Sequence, residues 1–472
     1  MKNNNIRIIY IYYLSIIITV ILFSFLSSIY AALTPLKICL LIVYLITLIR
    51  SILNNDLLSL YSIYLYTSGV FIYSRVFLDV IGNKPFLNVT FPINFVFSNL
   101  TGLIFLYISI LHIVLTDIGF NLHKYHITNK YSKIIKIIKT KYNIQNISFI
   151  LMIINFPSIL YKMYIQFIYI RNNGYLSIFL GELINIDYPF WTKGSGTLFL
   201  LAFLLLLISH PEKHIFKYSS ILFGCYLFLS ALKGQRGILL VGIISLLYLY
   251  NRLYNIKIKY FEIFIIGMLF IIYSQFMSSY RTKEAFYKPR YTEILSDFIY
   301  SQGTSIVVPL SIIENKNKYV YRKYPYLFSP IFSYFEKYTH PTSGQTTIRL
   351  INYNNISDAT QFLFSSSNYY AGNGTGASGL AEFYDFYGFS GIFILSFLLG
   401  YILSNTEYLI LSNSLAIPFH WFFINSLIYL PRNRFFSFFD NLIFVVFSVF
   451  LYFLLKFIFK YCFFINKKYP ET

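Results

Sequence analysis

Apolar stretches of about 20 residues recur along most of this 472-residue sequence, and they constrain its fold more than any other feature. An α-helix of that length crosses the ~30 Å hydrocarbon core of a bilayer. Charged residues make up only 12% of the chain, whereas a soluble protein carries roughly a quarter. The pattern therefore predicts an all-α polytopic integral membrane protein.

We predict about twelve transmembrane helices from the positions of these stretches. Their approximate bounds are 8–29, 33–49, 57–78, 95–118, 147–170, 194–209, 215–232, 237–250, 260–279, 386–404, 407–430 and 438–460. The sequence shows no internal repeat and no flexible linker. We therefore expect one integral membrane domain that covers residues 1–472.

The long polar segment 281–385 is predicted to be a large loop between two of these helices. Within it, the apolar stretch 294–313 is broken by an aspartate, a glycine and a proline. We interpret that stretch as an amphipathic helix that lies at the membrane interface. The loop ends in the glycine-rich run 371-AGNGTGASG-379, which leads directly towards the predicted helix 386–404.

The positions of lysine and arginine predict the orientation of the chain in the membrane. Loops rich in these residues remain in the cytoplasm, and the 119–146 connection is rich in lysine. Counting helices from it places both termini in the cytoplasm and the 281–385 loop outside, which in a bacterium is the periplasmic face. The same bias accounts for the net charge of +20, so we expect no nucleic-acid partner.

Several cations nevertheless lie on the side predicted to be outside. They are Lys233 and Arg236 in 233-KGQRG-237, Arg281 and Arg290 at the start of the long loop, and Arg432 and Arg434 in 431-PRNR-434. Guanidinium groups bind phosphate oxygens in a bidentate way and stay charged in a partly dry site. These residues are therefore candidates for binding a diphosphate, although solvated loop ends or contacts with lipid headgroups would also explain them.

Two residues of the outer region are candidate proton acceptors, His340 and Glu382. Glycosyl transfer needs a base for the attacking hydroxyl and stabilisation of the departing phosphate. An ordinary loop histidine and a carboxylate favoured by the start of a helix are the simpler interpretations. No nucleotide-binding glycine–lysine loop and no zinc-ligand spacing occur, so we expect no metal and no cofactor. Cys39, Cys225 and Cys462 are interpreted as buried apolar residues.

Two segments resemble a known family. The turn 230-SALKGQRGILL-240 and the stretch 378-SGLAEFYDFYGFSG-391 are similar to the best-marked segments of the O-antigen polymerases, the Wzy-type oligosaccharide repeat unit polymerases. Members of that family show an Arg-Gly turn between mid-chain spans and a large outer loop. They also show a segment with glutamate, aromatic residues and glycine at the start of a late span.

The resemblance implies a glycosyltransferase of the GT-C type in the inner membrane. It would transfer a growing glycan from undecaprenyl diphosphate to a new lipid-linked repeat unit at the periplasmic face. Arg236, with Arg281 or Arg290, would hold the diphosphate, and His340 or Glu382 would be the general base. The implied partners are the undecaprenyl-diphosphate-linked oligosaccharide, membrane lipid, a chain-length regulator and the flippase of the same pathway.

Two alternatives remain open at this point. An O-antigen ligase, or another lipid-linked glycosyltransferase, would also use outward-facing arginines and a loop histidine. The alternative outside the enzymes is a flippase or transporter of lipid-linked oligosaccharide. Transporters carry ionisable groups near the middle of several helices, whereas Lys162 is nearly alone in such a position here.

Overall fold

The structure is a computed structural model. It describes residues 2–30, 32–54, 56–82, 84–89, 94–128, 142–233, 236–256, short pieces between 261 and 273, 291–319, 321–342, 344–410 and 413–468. The side chain of Arg236 and the whole of Arg281 and Arg290 lie outside this description.

Helices dominate the described chain, and their bounds follow the sequence order. The α-helices are α1 Lys2–Tyr30, α2 Thr34–Asn54, α3 Leu60–Ser68, α4 Ser74–Val80, α5 Asn99–Thr128, α6 Tyr142–Asn173, α7 Ser195–Ile208, α8 Lys213–Leu232, α9 Arg236–Tyr254, α10 Tyr291–Gln302, α11 Val307–Asn315, α12 Ser329–Thr339, α13 Thr347–Tyr353, α14 Ile356–Phe364, α15 Ser366–Tyr370, α16 Gly379–Leu409, α17 Ile417–Tyr429 and α18 Leu442–Lys468.

Shorter elements connect these helices. The 3₁₀ segments are Tyr175–Ile178, Glu182–Asn185, Phe190–Thr192, Gly303–Ile306, Lys316–Lys318, Tyr326–Phe328, Ser414–Ala416, Leu430–Arg432 and Ser437–Asn441. One π-helical turn, Gly69–Tyr73, lies between α3 and α4. The strands β1 Asn88–Val89 and β2 Phe95–Val96 pair antiparallel, with Asn88 opposite Val96.

The expected membrane architecture is confirmed. In the described residues, eight helices are long and apolar enough to cross a membrane. They are Thr34–Asn54, Asn99–Tyr125, Ile144–Asn173, Phe190–Ile208, Lys213–Leu232, Gly237–Tyr254, Gly379–Leu409 and Ser437–Phe459, and a shorter apolar helix covers Tyr12–Ser28. Each lies on one of the predicted spans.

Two predicted spans are interrupted, and a third lies mostly outside the described residues. The stretch 57–78 is not one regular helix, because the π-helical turn interrupts it. The stretch 407–430 is divided, since α16 continues to Leu409 and α17 begins at Ile417. Most of 260–279 lies outside the described residues.

The stretch 294–313 differs from its prediction. We expected an amphipathic helix at the membrane interface, but from Gly303 onwards its side chains are buried within the protein. Ile306, Val307 and Leu310 each have 0% exposure and belong to the main hydrophobic core. The stretch reaches this depth because α11 packs against α5 and α16, which cover its apolar side chains.

The centre of the bundle is the contact between α5 and α16. A Cβ atom added to Gly400 would collide with the carbonyl oxygen of Thr116, and one added to Gly119 would collide with that of Phe397. The two backbones therefore touch, as small residues allow in membrane helix pairs. This contact fixes the membrane-spanning part of α16 against α5.

Contacts between helix ends define two opposite ends of the bundle. Gly237 at the start of α9 lies beside Tyr429, and Gly379 at the start of α16 lies beside Leu430. We call this the Arg432 end. The other ends of the same two helices meet where Arg252 Nη2 lies 3.4 Å from Glu407 Oε1, and we call this the Glu407 end.

Candidate active site

The glycine-rich run is held in one conformation by the long loop. Gln345 Nε2 donates to the carbonyl oxygen of Asn373 over 3.1 Å, and Thr375 Oγ1 donates to that of Ser357 over 3.3 Å. Gly376 has a φ of +80°, a conformation in which a side chain is strained. The run thus enters the Arg432 end along a defined path.

Arg432 lies where this path meets the membrane helices. A Cβ on Gly376 would be 3.7 Å from Arg432 Cγ. The guanidinium lies 5.7 Å from the ring centre of Phe71, which belongs to the π-helical turn, and Nη1 donates to Gln302 Oε1 over 3.4 Å. Within the described part of the chain, Arg432 forms no ion pair, so its charge is available to an anion.

The start of α9 reaches the same place. A Cβ on Gly237 would lie 2.8 Å from the hydroxyl oxygen of Tyr429. The Tyr429 ring packs edge-on against Phe71 with the centroids 5.7 Å apart. Since Arg236 is the first residue of α9, its backbone lies close to the Phe71–Arg432 contact.

Glu382 lies in the first turn of α16, as predicted, and the structure shows that it is buried. Its side chain has 0% exposure. Oε2 accepts a hydrogen bond of 2.8 Å from the backbone N–H of Phe435, while Oε1 has no hydrogen-bond partner among the described residues. Arg434 lies close enough for the two charges to interact. Glu382 therefore holds the 432–435 turn in place.

Arg434 and Lys337 share one carboxylate. Arg434 Nη2 lies 3.1 Å from Asp440 Oδ2, and Lys337 Nζ lies 2.6 Å from Asp440 Oδ1. Both of these cations are thus ion-paired, whereas Arg432 has no ion pair among the described residues. The ion pair between Lys337 and Asp440 also joins α12 to the 437–441 segment.

His340 follows directly on α12 and is accessible. Its side chain is 52% exposed, and Nε2 lies 3.9 Å from Glu336 Oε2. Its carbonyl oxygen accepts from Tyr353 Oη over 3.0 Å, which fixes the backbone at the helix end. Because Lys337 on the same helix contacts Asp440, His340 belongs to the region of Arg434.

Lys233 lies apart from this group, between α8 and α6. Its Nζ donates to Gln166 Oε1 over 3.0 Å. Burial lowers the pKa of Lys233, and the nearby positive charge of Lys162 lowers it further. An anion at this position would offset the repulsion between the two lysines.

Sequence reasoning missed two buried ionisable residues near the site. Asp385 has 0% exposure, lies 2.9 Å from Arg322 Nε through Oδ1, and accepts from the N–H of Tyr326 through Oδ2 over 2.9 Å. Arg75, 1% exposed, donates from Nε to the carbonyl oxygen of Tyr300 over 3.2 Å. A charge inside the predicted span 57–78 was the available signal for Arg75.

Other membrane helices also carry buried ionisable residues, so Lys162 is not as nearly alone in such a position as we expected. Asp117, inside α5, is 2% exposed and lies 2.7 Å from Arg50 Nη1. Among the described residues, no group of three or more His, Cys, Asp or Glu side chains is placed to hold a metal ion.

The fold and this end of the bundle define a multi-pass helical membrane protein with cations gathered under a structured loop. The chain belongs to the O-antigen polysaccharide polymerase Wzy family, which matches residues 7–462. Members are glycosyltransferase-type polymerases of lipid-linked repeat units, and this chain is a repeat-unit polymerase. The predicted family is confirmed. No curated protein and no solved structure matches the chain.

Proposed function

We propose that the Arg432 end is where the growing glycan passes from undecaprenyl diphosphate to a new lipid-linked repeat unit. The observation that carries this proposal is the position of Arg432. It has no ion pair among the described residues, and it lies between the glycine-rich run and Phe71. A guanidinium without an ion pair, beside a backbone segment that carries glycines, suits a diphosphate.

The reaction needs a site for the leaving group. A hydroxyl of the acceptor sugar attacks the anomeric carbon of the donor glycan, and the bond from that carbon to the diphosphate oxygen breaks. Negative charge then develops on the diphosphate, where fixed cations stabilise it. Arg432 and Arg434 supply that charge, and Arg236, Arg281, Arg290 and Lys233 are further candidates for the same substrate.

The proton of the attacking hydroxyl requires an accessible acceptor. Glu382 is fully buried and bonded to Phe435, whereas half of the His340 side chain is exposed. We therefore assign His340 as the general base, oriented by Glu336. Glu382 acts as a positioning residue for the turn that carries both arginines.

We also propose where the enzyme lies and which proteins act with it. The protein lies in the inner membrane with both termini in the cytoplasm and the 281–385 loop in the periplasm. A flippase supplies the lipid-linked repeat unit, and a chain-length regulator sets the extent of polymerisation. The reaction uses no cofactor.

Replacing Arg432 with alanine tests the proposal. The diphosphate loses a charged hydrogen-bond donor worth about 1.5–3 kcal/mol, so polymer formation should fall by at least tenfold. In the lipopolysaccharide banding pattern, long chains should disappear while core with a single repeat unit remains.

Arg171→Ala is the matched control, because Arg171 is exposed at the end of α6. It should leave the banding unchanged. Loss of the single-repeat form in Arg432→Ala would instead indicate a ligase or a flippase. Normal banding in that variant would exclude Arg432 from the site.

A further inference from the structure

An apolar groove lies between α6 and α8. Its volume is about 540 Å³, within the usual size of small-molecule sites. The lining residues are all apolar or small: Phe156, Leu160, Ile221, Gly224, Cys225, Phe228 and Leu229. Cys225 is exposed, contrary to our interpretation of the cysteines as buried. The groove therefore opens on the side of the helices that faces lipid.

Polar side chains join the same two helices beyond one end of the groove. Lys233 Nζ, which follows α8, donates to Gln166 Oε1 on α6 over 3.0 Å. Gln166 lies six residues beyond Leu160, which is about 9 Å along a helix. Gln166 Nε2 in turn donates to Tyr188 Oη over 3.0 Å. This end of the groove faces towards the Arg432 end, because α9 begins just after Lys233.

Two cations converge there. Lys162 Nζ lies 5.2 Å from the ring centre of Tyr188, and its charge interacts with that of Lys233. In the part of the chain that the structure describes, neither lysine forms an ion pair. Both side chains are half-buried, and two like charges in such a place repel one another and favour an anion beside them.

We propose that this groove and its two lysines bind the lipid carrier of the glycan substrate, a polyprenyl diphosphate. The apolar groove takes the part of the isoprenoid chain next to the headgroup, and Lys162 and Lys233 take the diphosphate. This inference rests on the proposed function, since it names where the lipid carrier docks. The charge at one end and the apolar lining below it match a ligand with those two parts.

The position of the groove relates it to the reaction. Arg236 follows Lys233 by three residues and begins α9, whose next residue lies beside Tyr429 at the Arg432 end. A carrier bound between α6 and α8 thus has its diphosphate near the start of α9, the helix that leads to the Arg432 end. The carrier reaches the site laterally, from the lipid phase, without leaving the membrane.

A larger side chain in place of Gly224 would fill the groove without disturbing the fold. Nothing lies within 4 Å of a Cβ added to Gly224, and leucine favours a helix more than glycine does. Gly224→Leu should lower the affinity for undecaprenyl diphosphate and for undecaprenol by about tenfold. Gly196→Leu is the control, because a Cβ on Gly196 also meets nothing within 4 Å.

The lysines are tested separately. The double variant Lys162→Gln with Lys233→Gln should lower the affinity for undecaprenyl diphosphate by at least tenfold and leave that for undecaprenol unchanged. Lys217→Gln, near the opposite end of α8, serves as the charge control. Binding is measured by native mass spectrometry of the full-length protein in lipid nanodiscs, with thermal unfolding as a check on folding.

The results separate this inference from the proposed function. Unchanged affinity for both probes in Gly224→Leu and in the double lysine variant would overturn the groove site, even if the wild type polymerises normally. Equal displacement by phosphatidylglycerol would also overturn it, since the site would then hold any anionic lipid. Selective binding by a wild type that makes no polymer would support the groove and contradict the proposed function.

Discussion

Two carboxylates at the start of α16 each hold a different segment of the outer region. Glu382 accepts from the N–H of Phe435, and Asp385 accepts from the N–H of Tyr326 and pairs with Arg322. Burying a carboxylate is costly unless it is paired and hydrogen-bonded. Because Glu382 and Asp385 lie on one short helical segment, they link the 432–435 turn to the long loop.

The division of roles between His340 and Glu382 can be tested by comparing alanine variants. His340→Ala should abolish polymer formation without changing thermal stability, because the side chain is largely exposed. Glu382→Ala should lower both, since it leaves the Phe435 N–H without its acceptor, at a cost of about 1–3 kcal/mol. Lipopolysaccharide banding and thermal unfolding in detergent provide the measurements.

Glu382→Gln refines that comparison. Glutamine retains an oxygen for the Phe435 N–H but removes the charge that interacts with Arg434. We expect the protein to remain in the membrane with reduced polymer. Normal polymer in both Glu382 variants would remove this residue from the site, and a stable Glu382→Ala protein would contradict its positioning role.

Among the helices, α16 packs closely against α5, but it is not one continuous helix. Tyr387 and Gly388 have non-helical backbone angles, and Gly388 has a φ of +60°. The segment that carries Glu382 and Asp385 is thereby offset from the membrane-spanning part, which packs against α5. A glycine is suited to this bend because other residues are strained at positive φ.

The α5–α16 contact should tolerate no side chain at its closest point. Gly400→Ala would place a methyl group on the carbonyl oxygen of Thr116, and such overpacking costs about 1–3 kcal/mol. We expect a lower midpoint of thermal unfolding and less polymer, since the shift also moves the Glu382 segment. Gly196→Ala, where an added Cβ meets nothing within 4 Å, is the control. Equal midpoints for the two variants would show that the contact is loose.

At the scale of the whole molecule, charged contacts mark both ends of the bundle. Glu407 Oε1 accepts from the N–H of Leu60 at the start of α3 and pairs with Arg252 at the end of α9. Lys124 at the end of α5 interacts with Glu407 as well. These contacts place Lys124 and Arg252 at the Glu407 end, opposite to Arg432.

Cysteine labelling tests the predicted orientation. Ser367 is exposed on α15 in the long loop, so Ser367→Cys should react with an impermeant reagent once the outer membrane is permeabilised. His214→Cys, at a 64% exposed position near the start of α8, should react only after the inner membrane is disrupted. Both variants need Cys225→Ser, because Cys225 is exposed. If Ser367→Cys reacted only after disruption of the inner membrane and His214→Cys reacted without it, the predicted orientation would be wrong.

Much of the architecture follows from sequence alone. Even the short predicted spans 194–209, 215–232 and 237–250 correspond to α7, α8 and α9. Hydrophobicity is a local property that adds up along a stretch, and a bilayer requires every spanning backbone to satisfy its own hydrogen bonds. The family also followed from local features, the Arg-Gly turn and the glutamate–glycine segment.

Tertiary structure alone decided how distant residues combine. Arg432 meets Gln302 across 130 positions of sequence, and it also meets Phe71 on an interrupted helix. The buried bond of Glu382 and the insertion of 303–312 into the core depend on packing between α5, α11 and α16. No local pattern encodes such contacts, because they arise only when separate helices compete for the same interior space. The sequence alone thus determined the membrane helices and the family, and the assembled bundle decided which of the described cations are ion-paired and which are not.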